Sequence, residues 1–368
     1  MITKPVPPTV PLRSSSKGRR PMSLTRASIT SVVASIPALL GFVPHDSLVL
    51  LSALTHEQGK VSTGPIARID LAHITHDPGD AVKQFNRLCG DLPVLCVTGI
   101  LVRTVDDNAA TDDSLPLRAE VDTVVARLAE HGFIDVDVVH VPAIAEGARW
   151  RSYLDADRTG VLPDSATTPA AVAAVAAGRT IAASRDELAA RFTPAPEHVR
   201  ERLQPRVTDA VELAVIDQHR LVAARVRLAR ADAAIRAAGH GELPADEAAI
   251  VDLAATFATP PFRDALLAVP DDTARLAAEN LVLHLWRHTC DPTAGQLATV
   301  AAVHAYVRGD GTGARIALEN ADPEQPLTGL LSRLLGHAVP PSKLDDLIQN
   351  ISVDARRTLL SEPAVDQA

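Results

Sequence analysis

The amino-acid sequence predicts an α/β N-terminal domain, with a mixed sheet and helices on its faces, followed by an all-α helical domain. Apolar runs typical of buried strands alternate with helix-like segments as far as Thr168. From Pro169 onward the apolar spacing is helical, with Gly and Pro between the segments. The length of 368 residues favours two domains over a single core.

The most apolar run of the chain, residues 31–54, lies at the start of the predicted α/β domain. Its Gly and Pro residues predict a short helix over 30–39, a turn at 41–44 and a strand at 48–51. This strand lacks polar alternation, which is typical of a strand buried on both faces. A membrane span is disfavoured because prolines and charged groups within the run would lie near the bilayer midplane.

Five further elements complete the predicted α/β domain, and their order favours mixed strand directions in the sheet. A short polar turn separates the first two strands, so we expect an antiparallel hairpin. Asp77 precedes Pro78 at a helix start, a pattern typical of an N-cap with proline in the first turn. In chain order the elements are a strand at 64–71, a helix at 78–89, a strand at 92–102, a helix at 116–130 and a strand at 134–141.

The remaining domain boundaries are predicted from the amino-acid composition and from the positions of Gly and Pro residues. The longest helical pattern spans about residues 196–238, and we interpret it as a helical connector that Pro205 breaks or kinks. We therefore predict three parts of the chain, which are a disordered basic tail at 1–26, an α/β domain at 27–168 and a helical domain at 169–368.

The distribution of charge indicates which partners to expect, and the number of cysteines indicates the compartment. Six of the 36 basic side chains and none of the 45 acidic ones lie in residues 1–26, so the rest of the chain carries −15. An acidic body is a poor general binder of nucleic acid, and only the basic tail would bind it weakly. An odd cysteine count without a signal peptide favours reduced thiols and a cytoplasmic protein. The expected partner is an unidentified protein or small molecule, and a homo-oligomer is compatible with these features.

Five polar residues around the predicted hairpin form the first candidate site. His45, Asp46 and Ser47 have the residue types of a catalytic triad, but consecutive side chains diverge, so adjacency does not predict one. We interpret the triplet either as a turn that orients the first strand or as the lining of a ligand pocket. Arg68 and Asp70 alternate with an apolar residue, so we expect them to share one face of the second strand.

A second candidate group lies in residues 142–168, which lack clear periodicity. Irregular segments of this length are often functional or act as linkers. This segment contains Trp150, Arg151 and Tyr153 in a chain that has two Trp and two Tyr in all. We therefore include these three residues in a candidate ligand cleft.

No cofactor or metal is predicted. The aspartates at 106–113 lack the spacing of a calcium loop. His284 and His288 stand four apart on a predicted helix, but no Glu lies between them, as a zinc protease motif would require. Arg263 and Asp264 open a predicted helix, where the carboxylate suits the helix dipole and the arginine is positioned to pair with another domain.

Together these landmarks resemble an actinobacterial family known only as domain of unknown function 4192. The resemblance covers about residues 27–341, and its most specific part is Ile36–Pro44 followed by Ser47-Leu48-Val49. Further matching stretches are Arg68–Leu71, Trp150–Tyr153, Ala177–Arg179, Ser184–Leu188, Arg263–Asp264, Arg308–Gly311, Ala314 and Ala317–Glu319. The family has no established activity, so the resemblance transfers no catalytic residue. Relatives place cysteines just after the Trp-x-Ser-Tyr motif, whereas residues 154–160 contain none, so the resemblance implies no metal there.

Two hypotheses for the function remain open, and the sequence does not decide whether the protein is an enzyme. The first is a binding or interaction protein with a regulatory or scaffolding role, which the missing catalytic signatures and cofactor loops favour. The second is an enzyme, a hydrolase with its site at the cleft between the domains, because ligands gather at strand ends and domain interfaces.

Overall fold

The computed structural model describes residues 26–56, 60–104, 115–176, 179–337 and 339–361. These residues form two compact units, which we call unit 1 (up to Arg185) and unit 2 (from Asp186). The predicted fold class is confirmed, because unit 1 contains a mixed sheet with helices and unit 2 is all helical. The predicted disordered tail, except Arg26, and the aspartates at 106–113 lie outside the described residues.

Unit 1 contains a six-stranded sheet with the strand order β2-β1-β3-β4-β5-β6. Strands β3 and β4 are parallel, and every other neighbouring pair is antiparallel. The elements are α1 (Arg26–Leu40), β1 (Ser47–Thr55), β2 (Val61–Asp70), α2 (Leu71–His76), α3 (Pro78–Cys89), β3 (Val94–Val102), α4 (Arg118–Glu130), β4 (Val136–Val141), β5 (Arg149–Ser152), β6 (Thr159–Val161) and α5 (Pro169–Ala176).

Strand β1 lies inside the sheet, between β2 and β3, and the predicted hairpin with β2 is confirmed. Leu48 and Leu50 belong to a core cluster with residues of α3 and α4, such as Phe85 and Val124. The residues that alternate with them, such as Val49, are also fully buried. The uninterrupted apolar sequence of β1 is therefore explained by burial on both faces.

The predicted N-cap of helix α3 is also confirmed. The Asp77 carboxylate accepts the backbone N–H groups of Gly79 and Asp80 at 2.9 and 3.0 Å. Both groups lie in the first turn of α3, where backbone donors have no partner within the helix. Asp77 is thus the N-cap that its position before Pro78 predicts.

The interpretation of residues 142–168 as irregular is wrong, because they contain β5, β6 and a short 3-10 turn at Ser165–Thr167. The two strands extend the sheet beyond β4. They are four and three residues long, which is too short for a period-two pattern to be recognised. Helix α5 then packs on α1 through Ala38, Ala171 and Ala174, and the division into units follows it.

Unit 2 consists of helices and short turns. After α6 (Arg185–Ala189), which begins at the division, they are α7 (Glu197–Asp217), α8 (Leu221–Gly239), α9 (Glu247–Ala258), α10 (Pro260–Leu266), α11 (Asp272–Arg287), α12 (Thr293–Val307), α13 (Gly311–Glu319), α14 (Pro326–Gly336) and α15 (Pro341–Leu360). Helix α12 is buried on all sides and packs against α9, α11, α13, α14 and α15. It is the centre of the unit 2 core.

Pro205 does not break the helix in which it lies, contrary to the first alternative predicted for it. Helix α7 runs through Pro205, and the chain leaves the helical conformation at 218–220 instead. Pro205 is exposed, as is Glu201 one turn earlier, so the carbonyl group that loses its helical partner lies on the solvent side. Water is an adequate partner there.

Gly160→Ala is expected to destabilise unit 1 by about 1–3 kcal/mol, because overpacking a core has a cost of this size. A Cβ atom at Gly160 would lie 2.5 Å from Nε1 of Trp150, which is fully buried and has no room to move. Chemical denaturation followed by tryptophan fluorescence measures the change in free energy of unfolding. Gly329→Ala in α14 is the control, because nothing lies within 4 Å of its Cβ position. It is expected to be neutral or to stabilise by up to about 1 kcal/mol, and equal effects of the two substitutions would contradict the prediction.

Candidate functional site

The turn before β1 holds three of the predicted site residues. Asp46 has a φ angle of 39°, and its carbonyl oxygen accepts the backbone N–H of Leu71 at 3.0 Å. His45 and Asp46 are exposed, whereas Ser47 is fully buried. The Ser47 Oγ has no hydrogen-bond partner within the described part of the chain. This turn joins the start of β1 to the end of β2, and the Ser47 hydroxyl group is not accessible to solvent.

Arg68 and Asp70 share a face of β2, as predicted, and form an ion pair with an N–O distance of 2.6 Å. The Arg68 guanidinium group also donates to the His45 carbonyl oxygen at 3.4 Å and lies 5.9 Å from the centre of the Phe42 ring. The structure therefore brings Arg68 and Asp70 together with the backbone of His45. These contacts order the turn, and an ion pair with an exposed carboxylate contributes little to stability.

The aromatic residues of the Trp-x-Ser-Tyr stretch point to opposite faces of the sheet. Trp150 is fully buried and donates from Nε1 to the Thr30 hydroxyl group of α1 at 2.9 Å. Tyr153 packs with α3 and α4, and its hydroxyl group donates to the Pro116 carbonyl oxygen. Burial raises the pKa of Tyr153. Arg151 pairs in register with His140 of β4, so these side chains do not converge on one point.

Sequence reasoning missed a polar group at the start of β4. Arg158 lies 2.7 Å from the buried Asp137 carboxylate, which also accepts the Ser152 hydroxyl group at 3.1 Å. Burial and the nearby charge of Asp137 raise the pKa of Asp135. Asp135 and Asp137 alternate with apolar residues at the start of a buried strand, and this pattern could have indicated a buried polar group. The contacts join β4 to the β5–β6 turn and have a structural role.

The candidate residues of unit 2 are engaged in local contacts. Arg263 forms an ion pair with its neighbour Asp264 at 2.8 Å, and the Asp264 carbonyl oxygen accepts the Ser352 hydroxyl group. His284 and His288 each use a ring nitrogen on a backbone carbonyl oxygen at 2.8 Å. Within the described ranges, no group of three or more His, Cys, Asp or Glu side chains is arranged to hold a metal ion.

A buried group of charged side chains lies between α11 and α12. Glu279 forms ion pairs with Arg308 at 2.6 Å and with Arg191 at 2.8 Å. Arg275 pairs with Asp345 at 2.9 Å. His304 is fully buried, and neither of its ring nitrogens has a hydrogen-bond partner among the described residues. Burial, followed by the charges of Arg275 and Arg308, lowers the pKa of His304 to about 3.

An open cleft of about 910 Å³ lies within unit 2, and we call it the unit 2 cleft. Volumes of roughly 300–1,000 Å³ are typical of ligand sites. Four stretches of chain meet there, which are the turn after α6, the first half of α7, the α11–α12 loop and the α13–α14 loop. The side chains most relevant to its chemistry are Phe192, Arg200, Trp286, Cys290, Asp291 and Asp322.

Close packing holds the two acidic loops of the cleft in place. A Cβ atom at Gly295 would lie 2.9 Å from the backbone nitrogen of Asp322, so the start of α12 and the α13–α14 loop approach within contact distance. The Asp291 carboxylate accepts the Gly295 N–H at 3.1 Å, and the Asp322 carboxylate accepts the Glu324 N–H at 3.0 Å. Both contacts use Oδ1, and within the described residues neither Oδ2 atom has a hydrogen-bond partner.

The inner part of the cleft is aromatic. Trp286 packs edge-on against Phe192, with 5.1 Å between the ring centres. Trp286 is 91% buried, since 9% of its surface is exposed, and its Nε1 has no acceptor within the described residues. A buried indole N–H normally finds a partner. The Nε1 atom has no contact with solvent, so it lies inside the wall of the cleft and not at its surface.

Unit 2 also exposes apolar side chains where α7 meets α8. Leu213 and Ile216 of α7 and Val222 and Val226 of α8 are between 43% and 75% exposed. Grouped exposed apolar side chains are typical of interaction surfaces. Neither this surface nor the unit 2 cleft was predicted, because both depend on helices and loops that are brought together by the fold.

Comparison with known proteins gives one family. The family model described as "Domain of unknown function (DUF4192)" matches residues 30–342. No curated protein and no solved structure matches the chain. Within the described ranges, none of the helices has the length and apolar character needed to cross a membrane.

Proposed function

Since the chain belongs to the DUF4192 family, whose description names no activity, we propose from its own geometry that it is a binding protein. The unit 2 cleft is its ligand site. The observation that carries this proposal is the combination of a ligand-sized volume with an aromatic wall and two oriented carboxylates. Ligand sites commonly combine apolar walls with a few well-placed polar groups in this way.

Two further observations support binding as the function. The apolar surface of α7 and α8 is of the kind that proteins use to contact partners. The polar residues that the sequence places in a candidate ligand cleft make local contacts instead, such as the Arg68–Asp70 pair and the Tyr153 hydrogen bond. A regulatory or scaffolding role is the form of binding that we favour.

The cleft contains a natural reporter, Cys290, which allows a direct test. Cys290 is partly exposed, whereas burial raises the pKa of the Cys89 and Cys96 thiols to about 11. A thiol reagent near neutral pH is therefore expected to modify Cys290 first. A host extract that retains both peptides and small molecules is expected to slow this reaction, because a bound ligand covers the thiol.

The reference for this test is a cysteine placed elsewhere. A Cys290→Ser, Asp354→Cys chain carries its reporter on the exposed face of α15, where the same extract should leave the modification rate unchanged. Native mass spectrometry of the purified chain identifies any retained ligand. Equal rates at both positions with and without the extract, together with an unliganded mass, would count against the proposal.

A further inference from the structure

We propose that the ligand of the unit 2 cleft is an extended, proline-bearing stretch of polypeptide that carries Lys or Arg side chains. This inference rests on the proposed function and names the ligand class. Two properties of the cleft lead to it, which are the paired aromatic rings and the excess of carboxylates.

The open cleft of about 910 Å³ has room for an extended segment of polypeptide. An extended peptide in the polyproline II conformation makes no internal hydrogen bonds, so all of its carbonyl oxygens are available as acceptors. Such a ligand is pre-ordered, which lowers the entropic cost of binding.

The aromatic pair suits proline in particular. Trp286 and Phe192 meet edge to face, with an interplanar angle of 73°, and both line the cleft. Proline-rich segments are characteristically bound in grooves lined by aromatic rings. A prolyl ring is compact and apolar, so it packs against the exposed part of an aromatic ring.

The charges of the cleft select for a basic segment. Three carboxylates line it, from Asp291, Glu319 and Asp322, against one guanidinium group, from Arg200. The Oδ1 contacts of Asp291 and Asp322 with backbone N–H groups fix the orientation of both carboxylates. Preoriented carboxylates bind a Lys or Arg side chain at a smaller entropic cost than mobile ones do.

This chain itself contains a segment with the required chemistry. Residues 4–21 include Pro5, Pro7, Pro8 and Pro11, followed by Arg13 and three further basic residues, with no acidic one. The spacing from Pro8 to Pro11 is the P-x-x-P pattern typical of peptides recognised as polyproline II ligands. A synthetic peptide with this sequence is therefore the appropriate probe.

The test is a titration of the labelled 4–21 peptide with the full chain, measured by fluorescence anisotropy. A second full chain has Arg13, Lys17, Arg19 and Arg20 changed to Ser, so that its own segment does not compete. We expect saturable binding that weakens as salt is raised, because it depends on charge. Peptides with Glu in place of each Lys and Arg should not bind, and peptides with Ala in place of each Pro should bind more weakly.

Substitutions locate the binding site. Asp291→Asn with Asp322→Asn keeps both Oδ1 acceptors but removes two charges, and is expected to weaken binding about tenfold. Asp346→Asn with Asp354→Asn removes two charges from α15, outside the cleft, and should leave the affinity unchanged. Trp286→Phe should also weaken binding, since it removes part of the aromatic wall of the cleft. Thermal denaturation verifies that every variant is folded.

Two results would overturn the inference. One is the absence of saturable binding to either chain at up to about 1 mM peptide, a limit below which even weak complexes form. The other is equal affinity of the cleft variant and the α15 variant. In either case, protection of Cys290 by a host small molecule would leave the proposed function standing with a different ligand. Failure of both experiments would reject both proposals.

Discussion

Arg227→Met is expected to lower the free energy of unfolding of unit 2 by about 3–5 kcal/mol, the cost of breaking a buried ion pair. Arg227 is only 4% exposed and bridges three helices. Its guanidinium group lies 2.8 Å from the Asp217 carboxylate and 2.9 Å from the Asp252 carboxylate, and it donates to the Thr256 hydroxyl group at 3.2 Å. Methionine would fill a similar volume but would leave Asp217 buried without its partner.

The chain offers a matched control for this substitution. Arg230 lies on the same helix and contacts the same Asp252 at 3.4 Å, but its side chain is 65% exposed. Arg230→Met is therefore expected to change the free energy by less than about 1 kcal/mol. Urea unfolding followed by Trp286 fluorescence measures both. The combination of Arg227→Met and Asp217→Leu should recover part of the loss, because no buried charge is then left unpaired.

This prediction has a clear contrary outcome. If Arg227→Met and Arg230→Met lowered the free energy equally, the buried contacts of Arg227 would contribute no more than the exposed contact of Arg230. The prediction also bears on the exposed apolar surface, because Arg227 lies one residue after Val226 and fixes the helices that present it.

Stability is expected to fall by up to about 1.4 kcal/mol per pH unit as the pH drops below about 6.5, because of His304. Burial and two neighbouring arginines lower the pKa of His304 to about 3 in the folded chain. In the unfolded chain the imidazole takes up a proton near pH 6.5. The unfolded state thus binds more protons between these values, so stability is fully present above about pH 6.5 and decreases toward pH 3.

The measurement is the free energy of unfolding at about pH 7.5, 6.0 and 5.0, above the range where most carboxylates titrate. His304→Leu should reduce the dependence, since it removes this titrating group and keeps an apolar side chain. His140 and His284, whose pKa values are also lowered by burial, account for the dependence that remains. Val303→Ala is the matched control: it removes buried methyl groups one residue away. This control should lower stability at every pH and retain the slope. A wild-type slope in His304→Leu would show that other groups cause the dependence.

The parts of the fold that were predictable depend on neighbours in the chain. The β1–β2 hairpin and the Asp77 cap involve residues that are close in sequence. The order of apolar and polar residues, with the positions of Gly and Pro, is therefore enough to predict them. The Arg227 contacts and the unit 2 cleft depend on helices and loops far apart in sequence. Pro205 illustrates the limit, because only its exposure in the folded helix explains why α7 continues.

The candidate sites were less predictable than the fold. Residue types at His45, Ser47 and Tyr153 suggested chemistry, but whether such groups are accessible and convergent depends on tertiary structure. The cleft had no recognisable motif, since its polar groups come from separate loops. The hydrolase hypothesis stays a prediction, as does the place of the ten candidate residues in a ligand cleft.

The uninterrupted apolar sequence of β1 has a consequence for the synthesis of the chain on the ribosome. Residues 47–55 contain no charge and no proline, and their second neighbour, β3, begins only at Val94. When β1 and β2 have left the ribosome, one edge of β1 is still unpaired, and the face that α3 and α4 cover in the folded chain is exposed. Short uncharged segments of high β-propensity in this state are prone to cross-β aggregation. The nascent chain therefore requires either rapid completion through Val102 or protection by a chaperone until β3 is free to pair.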